Sequence, residues 1–203
     1  RVFHYITLNE PQCFIELGHQ KGVHAPGLKL DRGGILACVQ NALLAGGLGA
    51  RALRTYSTAQ IQIGLASTGR ICYPIKDTPQ GRKAAYRASF RMEENDWLFT
   101  HSWLLDAAVL GQFPADAPAF LREFTDAISP ADWEIIRQPL DFLGVNLYNG
   151  QPVDENGADM RKYPGFPRTA LKWPVTPEAM YYGCHWLYQR YGLPLFITEN
   201  GQS

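Results

Sequence analysis

Two glutamates stand where packing alone would not put them. Glu10 closes a run rich in β-branched and aromatic residues, VFHYITLNE, and Glu199 follows the apolar run LPLFIT. Each has an asparagine beside it, Asn9 before the first and Asn200 after the second. A carboxylate directly after a buried strand meets a heavy desolvation penalty unless it is paired or used. A third run, DFLGVNLY, carries Asn146 and Tyr148 at the same end. Two carboxyl groups in one cavity can divide labour, one moving a proton while the other attacks as a nucleophile. Taken singly, each glutamate could instead be an exposed strand-end residue or a helix cap. Asn9 could close an Asx turn, and Tyr148 could be a core tyrosine.

The elements that must bring these residues together read as strands of one parallel sheet. Residues 2–10, 59–67, 141–148 and 193–198 are apolar or β-rich and end in turn or polar residues. Helical spacing separates them. Residues 35–53 carry apolar side chains at that spacing, although Gly46, Gly47 and Gly49 weaken the second half. A proline opens a helix over 79–98, short helices fit 119–127 and 130–137, and Thr176-Pro177-Glu178 starts one that ends before Gly192. Residues 103–118 read as an elaborated loop, and 149–173 as a long polar loop of the kind that is usually functional or mobile. Strands alternating with helices predict a parallel α/β fold, whose sites form at the carboxyl ends of the strands.

Charge excludes some partners. Lysine plus arginine (19) equals aspartate plus glutamate (19), so neither nucleic acid nor an anionic membrane is an expected partner. No run approaches the roughly 18 apolar residues of a membrane helix, and no signal peptide is visible. The cysteines, at 13, 38, 72 and 184, form no CxxC pair; the Cys184-His185 neighbours are a poor metal site. Free, mostly buried thiols in a reducing cytoplasm are expected, with no metal and no cofactor. The chain opens at Arg1 close to one strand and closes at Ser203 just past another, which reads as a single partial domain over 1–203 cut at both ends.

The motifs carry a resemblance. Ile6-Thr7-Leu8-Asn9-Glu10-Pro11 resembles the acid/base motif of glycoside hydrolase family 1, the β-glucosidases, and Ile197-Thr198-Glu199-Asn200-Gly201 resembles its nucleophile motif. Between them, in the family's order, come Gly22-Val23-His24-Ala25-Pro26-Gly27, then Gly144-Val145-Asn146-Leu147-Tyr148, then Trp173 with Pro177-Glu178. The resemblance implies part of a (β/α)8 TIM barrel, from the fourth strand to just past the seventh. It also implies retaining hydrolysis of terminal β-D-glucosidic bonds through a covalent glycosyl-enzyme. Glu10 would then be the acid/base and Glu199 the nucleophile. Asn9 would bind the sugar 2-hydroxyl, and Tyr148 would donate to Glu199. Asn146 would support the same cluster, and Trp173 would offer a platform to the aglycone.

Leu44-Ala45-Gly46-Gly47 departs from the usual Leu-Ala-His-Gly, and Leu147 replaces a usual tyrosine. The family's first-strand glutamine, second-strand arginine, third-strand histidine and tryptophan, and eighth-strand sugar-clamping residues have no counterpart. The expected partner is a β-glucoside or short β-linked oligosaccharide; the oligomeric state is left open. Alternatives are a 6-phospho-β-glucosidase or β-galactosidase, a non-catalytic carbohydrate-binding relative, and an unrelated α/β binding module. Cut from a barrel, the polypeptide alone is expected to be marginally stable and inactive, with Phe3, Tyr5, Ile63 and Phe142 short of partners. His4, His19, His101 and His185 are expected to be structural or surface residues.

Overall fold

The structure, a computed structural model, describes residues 2–160 and 164–201. Four strands form one parallel sheet in the order β1 (His4–Asn9), β2 (Gln62–Ser67), β4 (Phe142–Asn146), β6 (Leu195–Glu199). Each pairs with the next in chain order, through contacts such as Tyr5 with Ile63, Leu65 with Leu143, and Val145 with Ile197. Their carboxyl ends therefore lie together along one rim. Beside the main sheet, β3 (Cys72–Pro74) and β5 (Gln151–Val153) form a second parallel pair. β5 lies within the stretch 149–173 expected as a loop, since three residues are too few to show an alternation. Of that loop, residues 161–163 lie outside the described residues.

After β1 the chain makes one helical turn, α1 (Pro11–Cys13), continued as a π-helical stretch to Gln20. Next comes α2 (Arg32–Tyr56), started by Asp31, whose side chain accepts from the Gly34 amide. It is longer than its spacing predicts, and its glycines serve packing. A Cβ on Gly47 would fall 1.9 Å from the Ile135 carbonyl oxygen of α6 (Pro130–Ile136), and one on Gly46 would press on Leu8. Close approach of backbones thus offsets the glycines' poor helix propensity. This helix also corrects the expectation about apolar runs. An 18-residue stretch of this 25-residue helix has a mean hydropathy of 1.4, which makes the helix long and apolar enough to cross a membrane by length and composition. Here its buried face, with Ile35, Val39 and Leu43, packs against the sheet and α6.

Helix α3 (Pro79–Phe90) stops eight residues short of the predicted end. Arg91 turns extended, and Met92, Trp97 and Leu98 are buried in a turn closed by Glu93 and Asp96. Residues 103–118 are more ordered than a loop. α4 (Ser102–Leu105) runs into a π-helical turn, Asp106–Leu110, ended by Gly111 at φ 70°. Trp103, Leu104 and Leu105 are fully buried there, and Asp106 is held by Arg190 and Tyr191. Helices α5 (Ala119–Ala127), α6 and α7 (Glu178–Tyr191) complete the outer layer; Gly192 caps α7 at φ 67°.

The outer strands of the open sheet are exposed in part. Phe3, Ile6 and Phe196 are 45%, 40% and 44% exposed, so the outer strands lack cover as expected. Ile63 and Phe142 do not: both are buried, and Phe142 packs against the rings of His4 and Phe196. Of the cysteines only Cys72 is buried; Cys13, Cys38 and Cys184 are half-buried, and all four are free.

Behind the rim lies a closed ring of buried polar groups. Gln12 Nε2 donates to Ser67 Oγ (2.9 Å) and to the Thr100 carbonyl (3.3 Å), and Ser67 Oγ meets His101 Nδ1 at 2.9 Å. All four residues are completely buried. Burial pushes the His101 imidazole down to about 4 from its ordinary 6.5. An unfolded chain would take up a proton between those values while the folded one would not. The neutral ring's contribution is therefore fully present above pH 6.5 and is lost as the pH falls through 4, about 3 kcal/mol in all. Urea midpoints measured from pH 7 to pH 4 should fall more steeply for the natural protein than for His101→Gln; parallel curves would contradict this.

Candidate active site

The rim gathers the residues singled out above into one hydrogen-bonded cluster. Asn9 Nδ2 donates to Glu199 Oε1 (3.2 Å), and Tyr148 donates its hydroxyl to Glu199 Oε2 (2.5 Å). Asn146 Nδ2 donates to Glu10 Oε1 (2.8 Å) and to Asn9 Oδ1 (3.0 Å). Two asparagine side chains thus bridge the two carboxylates. Glu10 and Glu199 are half-buried, while Asn146 is only 1% exposed and forms the floor between them.

Strand geometry explains how neighbours in sequence reach the same cluster. Successive side chains on a regular strand point to opposite faces. At this rim the pairing register shifts, between Ile6 and Asn9 in β1 and between Val145 and Asn146 in β4. Such irregularities re-aim side chains. Hence Thr198 Oγ1 donates to Asn146 Oδ1 (2.5 Å) while the next residue, Glu199, meets Asn9 and Tyr148. Glu10 itself has left-handed backbone angles, φ 46° and ψ 56°, a conformation that costs a non-glycine residue about 1–3 kcal/mol and needs support from its surroundings. Its amide donates to the Ala66 carbonyl (3.0 Å) and its carbonyl accepts from the Cys13 amide (3.0 Å).

Electrostatics report the same proximity. The Tyr148 hydroxyl is pushed up to about 12, first by its hydrogen bond to Glu199, then by burial and by the charges of Glu199 and Glu10. It therefore stays protonated, and a donor, at any ordinary pH. The Cys13 thiol is also pushed up to about 12, chiefly by burial, then by a hydrogen bond to Glu10 and the charges of Glu10, Glu16 and Glu199. Asn200, marked in the sequence beside Glu199, turns its Nδ2 instead to the Leu147 carbonyl (2.6 Å), while Cys13 and Thr198 carry no such mark. Strict alternation would have sent Thr198 to the opposite face from Glu199, so no periodicity marks it.

Trp173 is the outermost member. Its ring lies 5.2 Å from that of Tyr148, tilted by 56°, and it is 39% exposed. Leu147 points away from the cluster, into the space that Gly183 leaves on α7. A cavity of about 710 Å³ lies elsewhere, between α3 and residues 155–157. A smaller cavity, about 240 Å³, reaches the cluster at Tyr148 and Asn200. Among the described residues, no three His, Cys, Asp or Glu side chains are grouped to hold a metal ion. His185, beside Cys184, instead stacks on Tyr181.

Comparison with known proteins gives a consistent answer. The sequence profile of glycosyl hydrolase family 1 matches residues 1–203. A β-glucosidase from Agrobacterium sp. is 31% identical over 96% of this chain and 42% of its own length. A 1,4-β-D-glucan glucohydrolase from Thermotoga neapolitana is 31% identical over 100% of the chain and 47% of its own. Among solved structures, a β-glucosidase from Thermotoga maritima in complex with a substituted glucoimidazole superimposes with a TM-score of 0.77 at 26% identity, over 100% of this chain and 44% of that one. The chain thus spans less than half the length of the relatives it matches.

Proposed function

This chain belongs to glycosyl hydrolase family 1, and from that premise we propose that the protein containing it hydrolyses terminal β-D-glucosidic bonds with retention of anomeric configuration. One observation carries the reading: Asn9 and Asn146 link the carboxylates of Glu10 and Glu199 within a single cluster at the carboxyl ends of parallel strands. Retention asks for two carboxyl groups about 5 Å apart, one on each side of the bond to be broken.

In this proposal Glu199 attacks the anomeric carbon. The bond to the leaving oxygen breaks as Glu10 delivers its proton to that oxygen, which leaves a glycosyl ester on Glu199. Water then attacks the same carbon and gives a proton to Glu10, and the ester bond breaks to restore the Glu199 carboxylate. Two inversions give net retention. Tyr148 and Asn9 each hold one oxygen of Glu199, which fixes the carboxylate plane and spreads its charge. Asn9 keeps a second amide hydrogen for the sugar 2-hydroxyl, a contact that strengthens in the transition state. Trp173, at the mouth, offers an apolar face to the aglycone.

The test is covalent trapping. A 2-deoxy-2-fluoroglucoside with a good leaving group slows both steps by withdrawing electrons from the developing cation, and the good leaving group restores the first step alone. The ester should accumulate, and peptide mapping should find it on Glu199. A label on another residue, or undiminished turnover without a label, overturns the assignment.

A further inference from the structure

The buried ring of Gln12, Ser67, Thr100 and His101 takes no part in the chemistry just described, yet it is built against the backbone of Glu10. Ser67 follows Ala66, whose carbonyl accepts the Glu10 amide, and Gln12 stands two residues beyond Glu10. The Ala66-Ser67 pair therefore grips the chain at two points, the Glu10 amide and the Gln12 side chain, with the left-handed residue between them. Thr100 and His101 brace that grip from behind, one through its carbonyl to Gln12 and the other through Nδ1 to Ser67.

Core stability does not require this arrangement. Among the described residues the buried Gln12 carbonyl oxygen has no hydrogen-bond partner, an unfavourable state that an apolar side chain of the same length would avoid. Gln12 is useful only through its amide hydrogens, and both of their acceptors belong to the ring. A strained backbone at a reacting residue persists only where its surroundings over-determine it. The ring supplies that determination.

We propose that Gln12 and Ser67, backed by His101, are positioning residues that hold the Glu10 carboxyl in line with the departing glycosidic oxygen. The inference rests on the proposed role of Glu10 as proton donor. With the ring broken, Glu10 remains present but is aimed less well, so the loss falls on the step that needs its proton.

Leaving-group dependence is the readout, because a general weakening of the fold would lower all rates alike. The full-length protein containing this chain is compared as natural protein, Gln12→Met, Ser67→Ala and Ser67→Thr, with active sites counted by fluoroglucoside trapping. A misplacement of roughly 1 Å can cost about 100-fold. For Gln12→Met and Ser67→Ala, kcat/KM on an alkyl β-glucoside should drop about 10- to 100-fold. On 2,4-dinitrophenyl β-glucoside, whose leaving group needs no proton, it should stay within about twofold. Ser67→Thr keeps the hydroxyl and should retain the natural ratio. Equal losses on both substrates, or no loss on either, overturn the proposal; should Gln12→Met not fold, Ser67→Ala decides alone. A natural protein without activity on either glucoside would sink the functional reading itself, an outcome distinct from failure of the positioning role.

Discussion

Replacing Glu199 by glutamine should lower turnover of a β-glucoside by at least ~10⁴-fold, a rise in barrier of about 5 kcal/mol. The amide has nearly the volume of the carboxylate and its oxygen can still accept from Tyr148, although its nitrogen then replaces the acceptor that Asn9 Nδ2 uses. What it lacks is the charge to form and then release an ester. Glu199→Ala makes the sharper experiment, because truncation leaves space on that side of the sugar. Azide entering there would attack the anomeric carbon once, expel the leaving group, and leave the α-glucosyl azide, a single inversion with no second step. Rate recovery with the α product would identify the face that Glu199 serves. Residual activity above about 1% of the natural rate, or a β-configured azide, would remove Glu199 from the nucleophile's role.

The parts of this site legible in the sequence are those whose chemistry conflicts with their neighbours. Glu10 and Glu199 stand out because a charge follows a buried strand, and Asn146 because it ends one that is otherwise apolar. The parallel character of the main sheet was legible for a related reason, its order only through the family resemblance. Strands covered on both faces read as unbroken apolar runs, and such runs alternate here with helices. Features that depend on a change of register were not. Nothing local says that pairing slips between Val145 and Asn146, yet that slip lets Thr198 and Glu199 serve one cluster. The same holds for residues joined only in space: Gln12, Ser67 and His101 lie in three different segments, and none carries a local signal of the ring they form. The glycines of α2 misled for the opposite reason, since propensity sees their cost and misses the closeness of Ile135.

The exposed strands follow from the same geometry. Part of a (β/α)8 barrel leaves unpaired outer strands, and β1 and β6, the two outer strands, are the ones that carry Glu10 and Glu199. Phe196 and Ile6 are as open as that position requires. The carboxylates nonetheless meet across the intervening strands, because Asn146 at the end of β4 reaches Asn9 and Glu10 from the buried middle of the sheet. Geometry at the rim is therefore set by the two inner strands, the best-covered part of the fold.

Glu10→Ala should give the second large effect, and one of a different shape. General acid–base catalysis is worth about 10²- to 10⁴-fold, so an alkyl β-glucoside, whose leaving group must be protonated, should lose activity at the upper end of that range. 2,4-Dinitrophenyl β-glucoside should still form the glycosyl ester at nearly the natural rate, because its phenolate leaves unaided. Its hydrolysis then stalls at the second step, where no base remains to activate water, so kcat and KM should fall together as the ester accumulates. Azide needs no base; it should restore kcat and yield the β-glucosyl azide, since attack on the ester is a second inversion. The contrast with Glu199→Ala, which should give the α azide, assigns the two carboxylates independently of any structure. Were Glu10→Ala to lose equally on both glucosides, or to give the α product, the proton would have to come from another group. Asn146, which now holds the Glu10 carboxyl, would then need a different account.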